Sequence, residues 1–566
     1  MACVVAFAHS LPSWASGVLG SALGCILAEC HHHLRDRPPA ETKRPSGKQT
    51  GRLQAQLPTH RLQAAERSPL PHEGEASRCG QQPQHTRLMS GAVAEPSVSS
   101  AVPLADRRKI YGLGQYSHCN RVLLCMVGLP ARGKSYLVKM ITRYLQWTGF
   151  PCKAFNAGSI RRNAGMAGVD ASFFKTDDSE KARMRESIAS ECLEEAMSWL
   201  TAQSEVCIAI FDATNTTLKR RRLIQERCQV VGGVSPIFVE SICTDPAVLE
   251  QNYSLKLGND DYKNMDPQQA RDDFMERVRM YEQRYETLSD EENAGDISYI
   301  KLFNIGQKVV MRNCDGYVPS HIGFYLSNCH ISPRRIWLTR VAESDAQVRG
   351  ELGSVSGNLT PRGLRYCREL AAYVHRSSCG LQQTVGRGSE VLVLIGTAPV
   401  HKSTFDAVAG YDRNGVKEAS AELSGGDEDV LGAREYRAMS TSLLNELDGG
   451  DCNGMSYEQI QATYPDLWEQ RELDKLNFRY PGSGGESYVD VVSRLRPVII
   501  ELERQRRSVL VISHLAVQRC IFAYFTGCEM DRMPYLDMDI HTVYELNPGP
   551  WGTKVETRRL DQDQLD

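Results

Sequence analysis

The chain has no basic surplus, no paired-cysteine motif and no uninterrupted hydrophobic leader, and each absence closes off a class of function. Lys and Arg number 66 against 69 Asp and Glu in 566 residues, a net charge of −3, whereas a dedicated nucleic-acid binder carries a basic excess; no nucleic-acid partner is expected. The 18 cysteines are scattered without a C-x-x-C pair, inside runs such as VLLCMVG and RCIFAYF. They read as reduced cytosolic thiols, neither a disulfide frame nor a zinc site. Residues 3–28 are mildly apolar, but His9, Ser10, Pro12 and several glycines interrupt them and no Lys or Arg precedes them. A non-spanning extension or a doubtful start site fits this better than a membrane anchor, so no stable membrane span is expected. Residues 31–104 are almost free of aromatics and rich in Pro, Gln, Ser, Arg and His, too little apolar surface to fold, and 1–105 read as a disordered N-terminal extension.

What is present is globular: 41% apolar and 24% charged residues, in a length that holds two or three folded units. From Arg121 apolar runs alternate with amphipathic stretches. VLLCMVG (122–128), VCIAIFDA (206–213) and SPIFVESIC (235–243) read as buried parallel strands, with helices such as SYLVKMITRYLQWTG and EKARMRESIASECLEEAMSWL between them. A second alternation begins with RIWLTR, continues through VLVLIG (391–396) and VLVISHLAV (509–517), and carries the helix SYVDVVSRLRPVIIELERQ. The expectation is two α/β domains with parallel sheets and helices on both faces, 106–330 and 331–558, joined near 329–333. A polar insertion at about 411–439, with SGGDED at its centre, reads as a surface loop, and 559–566 as a tail.

The strongest local signal is Gly128-Leu129-Pro130-Ala131-Arg132-Gly133-Lys134-Ser135, a G-x-x-x-x-G-K-[ST] loop directly after a strand and before a helix. Its glycines let backbone N–H groups wrap nucleotide phosphates at a positive helix end. Lys134 reaches the β and γ oxygens, and the Ser135 hydroxyl binds Mg²⁺. Further on, Phe211-Asp212-Ala213-Thr214-Asn215-Thr216-Thr217 ends a second strand; Asp212 either holds the metal or its water, or caps the following helix. Around these lie Arg161, Arg162, Arg183, Arg185, the run Lys219-Arg220-Arg221-Arg222, Lys256 and Arg277. A phosphorylated acceptor needs such fixed cations, because its dianion must approach a nucleotide that is already strongly anionic.

The second half carries Leu338-Thr339-Arg340-Val341-Ala342-Glu343-Ser344, then Leu359-Thr360-Pro361-Arg362-Gly363, and late in the chain Ser513-His514-Leu515-Ala516. The first stretch resembles the strand-end R-H-G-E signature of the histidine phosphatase (phosphoglycerate mutase-like) superfamily, and Ser513-His514 resembles its second histidine. A P-loop kinase ahead of such a domain is similar to the 6-phosphofructo-2-kinase/fructose-2,6-bisphosphatase family. The likeness runs over about 120–556 through GLPARGKS, FNAGSIRRN, FDATNTT, VESICTDP, LKLGNDDY, DFMERVRMYE, SYIKLFNIGQ, LNELD, MSYEQI, RYPGSGGESY and SHLAVQRCIFAYF.

The resemblance implies transfer of the ATP γ-phosphoryl, with Mg²⁺, to the 2-hydroxyl of fructose 6-phosphate. The product, fructose 2,6-bisphosphate, regulates glycolysis and gluconeogenesis. It places nucleotide contacts on Gly128, Arg132, Gly133, Lys134, Ser135 and Tyr136, metal contacts on Ser135 and Asp212, and catalytic roles on Lys134, Asp212, Lys256 and Cys243. Buried-strand context alone makes Cys243 structural. Sugar-phosphate contacts fall on Arg162, Arg185, Thr214, Arg220, Lys256, Arg277 and Tyr281.

In the phosphatase half the resemblance implies a histidine that attacks phosphorus and becomes phosphohistidine. Val341 stands there, and an isopropyl group has no lone pair. Ala342 replaces the family glycine, Gln347 an Asn and Leu515 a Gln, while the T-S-x-x-x-R-T segment reads GTAPVHKST. Its phosphate-binding Arg is at best Lys402, which lacks the bidentate fork. Arg340, Gly353, Tyr457, Arg471, Lys475, Tyr488 and Arg519 still match as bisphosphate contacts, with Glu446 and His514 as remnant acid and second histidine. The expectation is a cytoplasmic homodimeric kinase whose bisphosphatase activity is lost or very weak. A bifunctional enzyme in which His514 or water replaces the nucleophile, and a catalytically silent sugar-phosphate-binding regulator, stay open as alternatives.

Overall fold

In the computed structural model the described residues are 121–560, apart from 167–172, 174–178, 205, 264, 354–355, 386–390, 411–435 and 550–551. The N-terminal extension expected over 1–105, most of the insertion expected at 411–439 and all but the first two residues of the expected tail lie outside them.

The first sheet comprises β1 (Arg121–Val127), β2 (Cys152–Asn156), β3 (Cys207–Asp212), β4 (Val234–Ile242), β5 (Tyr299–Phe303) and β6 (Lys308–Arg312), in the order β2-β3-β1-β4-β5-β6. All neighbours are parallel except the β5–β6 hairpin. β1 and β3 are buried on both faces, as a parallel strand between helix layers must be. β1 sits between β3 and β4, so its carboxyl end lies where the chain crosses over in opposite directions, the usual place for a ligand in such sheets. The helix Lys134–Trp147 buries Leu137, Val138, Ile141, Tyr144 and Leu145, an i, i+4, i+7 stripe facing the sheet. β2 carried no strand signal because its centre, Lys153 and Ala154, is exposed.

The second sheet comprises β7 (Ile336–Arg340), β8 (Val391–Ile395), β9 (Tyr436–Ser440), β10 (Val509–Ser513), β11 (Thr542–Gly549) and β12 (Gly552–Arg559), in the order β12-β11-β7-β10-β8-β9. β7, β10, β8 and β9 run parallel, while β11 is antiparallel to both β7 and β12. Two expectations are corrected, and one run is divided. Within the apolar run 509–517, β10 stops at Ser513, His514 is an N-cap, and Leu515–Thr526 is a helix. A short, wholly apolar run does not separate a two-residue from a 3.6-residue period. The insertion ends in β9, an edge strand paired with β8, so 436–439 is not loop. β12 runs to Arg559, into the expected tail.

One apolar cluster runs through both sheets' inner helices. It joins Tyr144 and Trp147 to Tyr325 and Leu326 of the helix Tyr317–Asn328, and to Cys520, Tyr524 and Phe525 of the helix Leu515–Thr526. Tyr144 stacks on Tyr325 with centroids 4.2 Å apart and planes at 9°. No described helix is long and apolar enough to cross a membrane.

Candidate active site and the second-domain site

Turning the chain from β1 into the helix Lys134–Trp147 requires backbone that few residues adopt. Gly128 has φ +133°, and a Cβ there would stand 2.7 Å from the Ser241 carbonyl oxygen. Ala131 and Gly133 also have positive φ, and Gly133 caps the helix with no side-chain hydrogen bond, leaving the first-turn N–H groups for a ligand. Thr214 O accepts from Gly128 N at 3.0 Å, and Asn252 donates to Ala131 O at 3.0 Å, which ties the loop to its neighbours. Lys134 Nζ donates to the loop's own carbonyls, Gly128 O (2.8 Å) and Leu129 O (2.6 Å). Burial, with Lys256, Arg132 and Arg277 nearby and Asp212 opposing, lowers its pKa to about 7.

Asp212 is the last residue of β3 and is buried. It accepts from Ser135 Oγ at 3.3 Å and from Asn156 Nδ2 at 2.5 Å, with Asn156 its register partner on β2. The capping alternative fails: the next helix, Leu218–Val231, is capped by Thr217. Asn156 was not singled out in the sequence; it also caps the helix Ala157–Asn163.

Lys134, Ser135, Tyr136 and Asp212 border a cavity of ≈ 740 Å³, and so do Arg162, Arg185, Thr214, Arg220, Lys256, Arg277 and Tyr281. Arg277 and Tyr281 lie one turn apart on the helix Pro267–Glu282. Arg185 donates to the Phe173 carbonyl, and Arg220 pairs with Glu186 at 2.5 Å. Burial, partly opposed by Asp212, lowers the Lys256 pKa. A carboxylate the sequence reading did not single out organises the cations: Asp261 Oδ2 lies 2.5 Å from Arg161, 3.9 Å from Arg162 and 3.9 Å from Arg277. The only signal for it was its place in LKLGNDDY.

Other expected residues stand elsewhere. Arg132 turns away from the cavity to Tyr253 (3.1 Å) and Glu282 (3.4 Å). Cys243 follows β4 outside the cavity wall, and burial pushes its thiol pKa up. Within Lys219–Arg222 only Arg220 faces the cavity; Arg221 is buried in a two-pronged pair with Glu292, at 2.8 and 2.7 Å. Tyr136 borders the cavity, but its electrostatic neighbours are Arg143 and Cys329 of its own domain and Glu503 and Arg334 of the second.

In the second domain β7 and β10 pair so that Arg340 is opposite Ser513, which brings the Arg340-Val341 and Ser513-His514 strand ends side by side. Val341 is fully buried in an apolar cluster with Val393, Ile395 and Val400. His514 Nδ1 is 3.5 Å from Glu446 Oε2. Burial and then Arg340 lower the His514 pKa to about 3, and burial raises that of Glu446, so the contact joins a neutral ring to a carboxyl that resists ionising. Ala516 N and Leu447 N donate to Glu446 Oε1 at 3.4 and 2.9 Å.

Cations gather around this pair. Arg519 donates to Leu536 O (2.7 Å) and Tyr488 Oη (3.0 Å), and Arg340 reaches Met538 O at 3.4 Å. Arg471 lies over Tyr457 at 5.1 Å and Lys475 over Tyr535 at 5.2 Å. Burial, then Arg471 and Arg519, lowers the Lys475 pKa to about 8. Gly353, φ +63°, passes Asn453 so closely that a Cβ would come within 2.2 Å of its Oδ1. Gln347 is committed to a capping box with Ser344. Lys402 is exposed, whereas its neighbour His401, which the sequence reading passed over, is buried against His514.

The family model for 6-phosphofructo-2-kinase matches residues 111–333, and that for the histidine phosphatase superfamily (branch 1) matches 428–561. The chain is 39% identical over 461 residues to a probable 6-phosphofructo-2-kinase of Schizosaccharomyces pombe, covering 76% of this chain and 69% of that protein. It is 37% identical over 470 residues to 6-phosphofructo-2-kinase/fructose-2,6-bisphosphatase 1 of Mus musculus, covering 82% and 90%. With 6-phosphofructo-2-kinase 1 of Saccharomyces cerevisiae it shares 36% identity over 438 residues, covering 76% of this chain and 51% of that one. The chain is an enzyme of the 6-phosphofructo-2-kinase/fructose-2,6-bisphosphatase family, its kinase-type domain preceding its histidine-phosphatase-type domain.

Proposed function

We propose that the chain transfers the γ-phosphoryl of ATP to the 2-hydroxyl of fructose 6-phosphate, and that it hydrolyses the resulting fructose 2,6-bisphosphate weakly or not at all. The observation that carries the kinase reading is the shared cavity. Lys134, Ser135 and Asp212 border the same space as Arg162, Arg185, Arg220, Lys256 and Arg277, which come from separate helices. Two anionic substrates require that arrangement, and catalysis rests on positioning and charge neutralisation more than on a strong base. Lys134 leaves the loop carbonyls for the phosphates, Lys256 meets charge on the moving group, and the arginines orient the sugar phosphate. The hydroxyl of Ser135 and the carboxylate of Asp212 are hard oxygen donors 3.3 Å apart, a set that suits Mg²⁺. Bound there, Mg²⁺ supplies neutralisation of the phosphate charge. Cys243 receives no role.

The test is product formation from ATP and fructose 6-phosphate by the full chain. Lys134→Ala should cost roughly 10²–10³-fold or more in turnover, on the scale of removing one electrostatic stabiliser, with the fold intact; a variant at full rate overturns the reading. Loss of hydrolysis follows from Val341, because removing a nucleophile costs several powers of ten. Release of labelled 2-phosphate at a family-typical rate would refute it. The reading also takes the chain as a cytoplasmic homodimer, to be checked by fractionation and by sedimentation.

A further inference from the structure

A buried carboxylate away from any reaction is costly unless its partners compensate the lost water. One such group lies at the seam between the two domains. Glu503, on the helix Tyr488–Arg504, is enclosed and accepts from Arg143 (2.6 Å), Arg334 (2.8 Å) and the Tyr524 hydroxyl (2.7 Å). Burial opposes its charge, but the two arginines outweigh that and hold the carboxyl below its usual range. None of these four residues borders the nucleotide cavity, so the chemistry does not account for them.

What they hold is the helix that begins at the P-loop. Arg143 is nine residues beyond Lys134 on Lys134–Trp147, roughly 13 Å along the axis. Tyr325 Oη donates to Met140 O (3.3 Å), Trp147 Nε1 donates to Cys520 O (2.9 Å), and the Arg143 guanidinium lies 4.5 Å over the Tyr524 ring. Residues 140, 143 and 147 share one face of the helix, so these attachments fix its rotation about its own axis. Turning the helix would move Lys134 and the first-turn N–H groups sideways from the phosphates, and a misplacement near 1 Å costs about 10²-fold in rate. Tyr136, in that first turn, stands between the cavity and the Glu503 cluster.

We propose that Glu503 is a positioning residue for the kinase. With Arg143 and Tyr524 it clamps the P-loop helix in the rotation that aims Lys134 and the bare helix end at the nucleotide, a role the phosphatase-type domain fills without hydrolysing anything. The rate measurements rest on the kinase reading; the binding measurement does not.

The test compares full-length wild type with Glu503→Gln, Tyr524→Phe and the control Glu501→Gln, whose carboxylate, among the described residues, pairs with Arg504 and Gln505 on the same segment. The readings are MgATP affinity by direct titration, KM for each substrate, kcat, and circular dichroism. Glu503→Gln should weaken MgATP about tenfold and raise the ATP KM to match, the effect of a sub-ångström shift, with the fructose 6-phosphate KM unchanged. Tyr524→Phe should do the same by about threefold and Glu501→Gln not at all. A folded Glu503→Gln protein with wild-type MgATP affinity, or one in which both KM values rise equally, overturns the clamp. If Glu503→Gln does not fold, Tyr524→Phe decides by the same readings. If wild type makes no fructose 2,6-bisphosphate, the kinase reading falls while the MgATP titration still decides this one.

Discussion

His401 lies edge-on against His514, ring centroids 4.7 Å apart and planes at 77°. His401 is fully buried, and among the described residues neither ring nitrogen meets a partner at full hydrogen-bond geometry, although the carbonyls of Ala398 and Leu444 lie nearby. Burial and then His514 lower its pKa to about 3; His514 itself is lowered to about 3, and His330 to about 4, by burial and then Arg334. All three rings are neutral in the folded chain and take up protons near pH 6.5 when it unfolds. Stability from these rings is therefore full above pH 6.5 and lost as pH falls towards 4, at up to about 1.4 kcal/mol per pH unit for each ring. Urea midpoints should fall steadily from pH 6.5 to 4.5, and His401→Leu should remove about a third of that slope. A flat profile would show that the rings are not held neutral.

Placing a histidine at position 341 should not yield hydrolysis. Val341→His places a larger, polar ring in a closed apolar cluster, at a cost of about 1–3 kcal/mol. Gln347 stays bound in its cap and Lys402 faces solvent. Phosphate release from fructose 2,6-bisphosphate should remain at background while the melting temperature drops. Hydrolysis appearing in that single variant would show that the remaining site is competent.

Nucleotide binding should take up a proton. Lys134, with its pKa near 7 and lowered chiefly by burial, is largely neutral at pH 8.5, and arriving phosphates favour its charged form; Lys256 shifts in the same direction. Calorimetry of a non-hydrolysable ATP analogue at pH 8.5, in two buffers of different ionisation heat, should read an uptake approaching one proton. Affinity should fall from pH 7 to 9. Proton release at pH 8.5 would contradict the assignment.

Asp261→Asn should separate the two substrates. It removes the charge that draws Arg161, Arg162 and Arg277 together. The KM for fructose 6-phosphate should rise about tenfold or more with that for ATP within about twofold, and breaking the buried Arg161 pair should cost a few kcal/mol in urea unfolding. Equal changes in both constants would place Asp261 outside the acceptor side.

The P-loop was legible because backbone geometry dictates it: only glycine tolerates φ +133° against the Ser241 carbonyl, so the glycine spacing carries the structure with it. The central strands were legible for a similar reason, since burial on both faces leaves an unbroken apolar run. Asp261, His401 and Glu503 were not. Each takes its meaning from partners up to 360 residues away, as Glu503 does from Arg143, and nothing local distinguishes such an acid from a solvated one. Cys243 shows the converse, a residue inside a matching segment that the fold leaves outside the cavity. β2 and β9 stayed hidden because both are edge strands with exposed residues at their centres.

The apolar seam from Tyr144 and Trp147 through Tyr325 to Tyr524 and Phe525 also bears on how such a chain can drift. Ending translation after residue 330 would bare aromatic rings that now face one another, leaving a fragment prone to aggregate. Lys402, Gln347 and Val341 can therefore change without baring the seam, whereas the segment that bears them cannot be removed without exposing it. Side chains at the seam are therefore expected to vary less among relatives than those around His514.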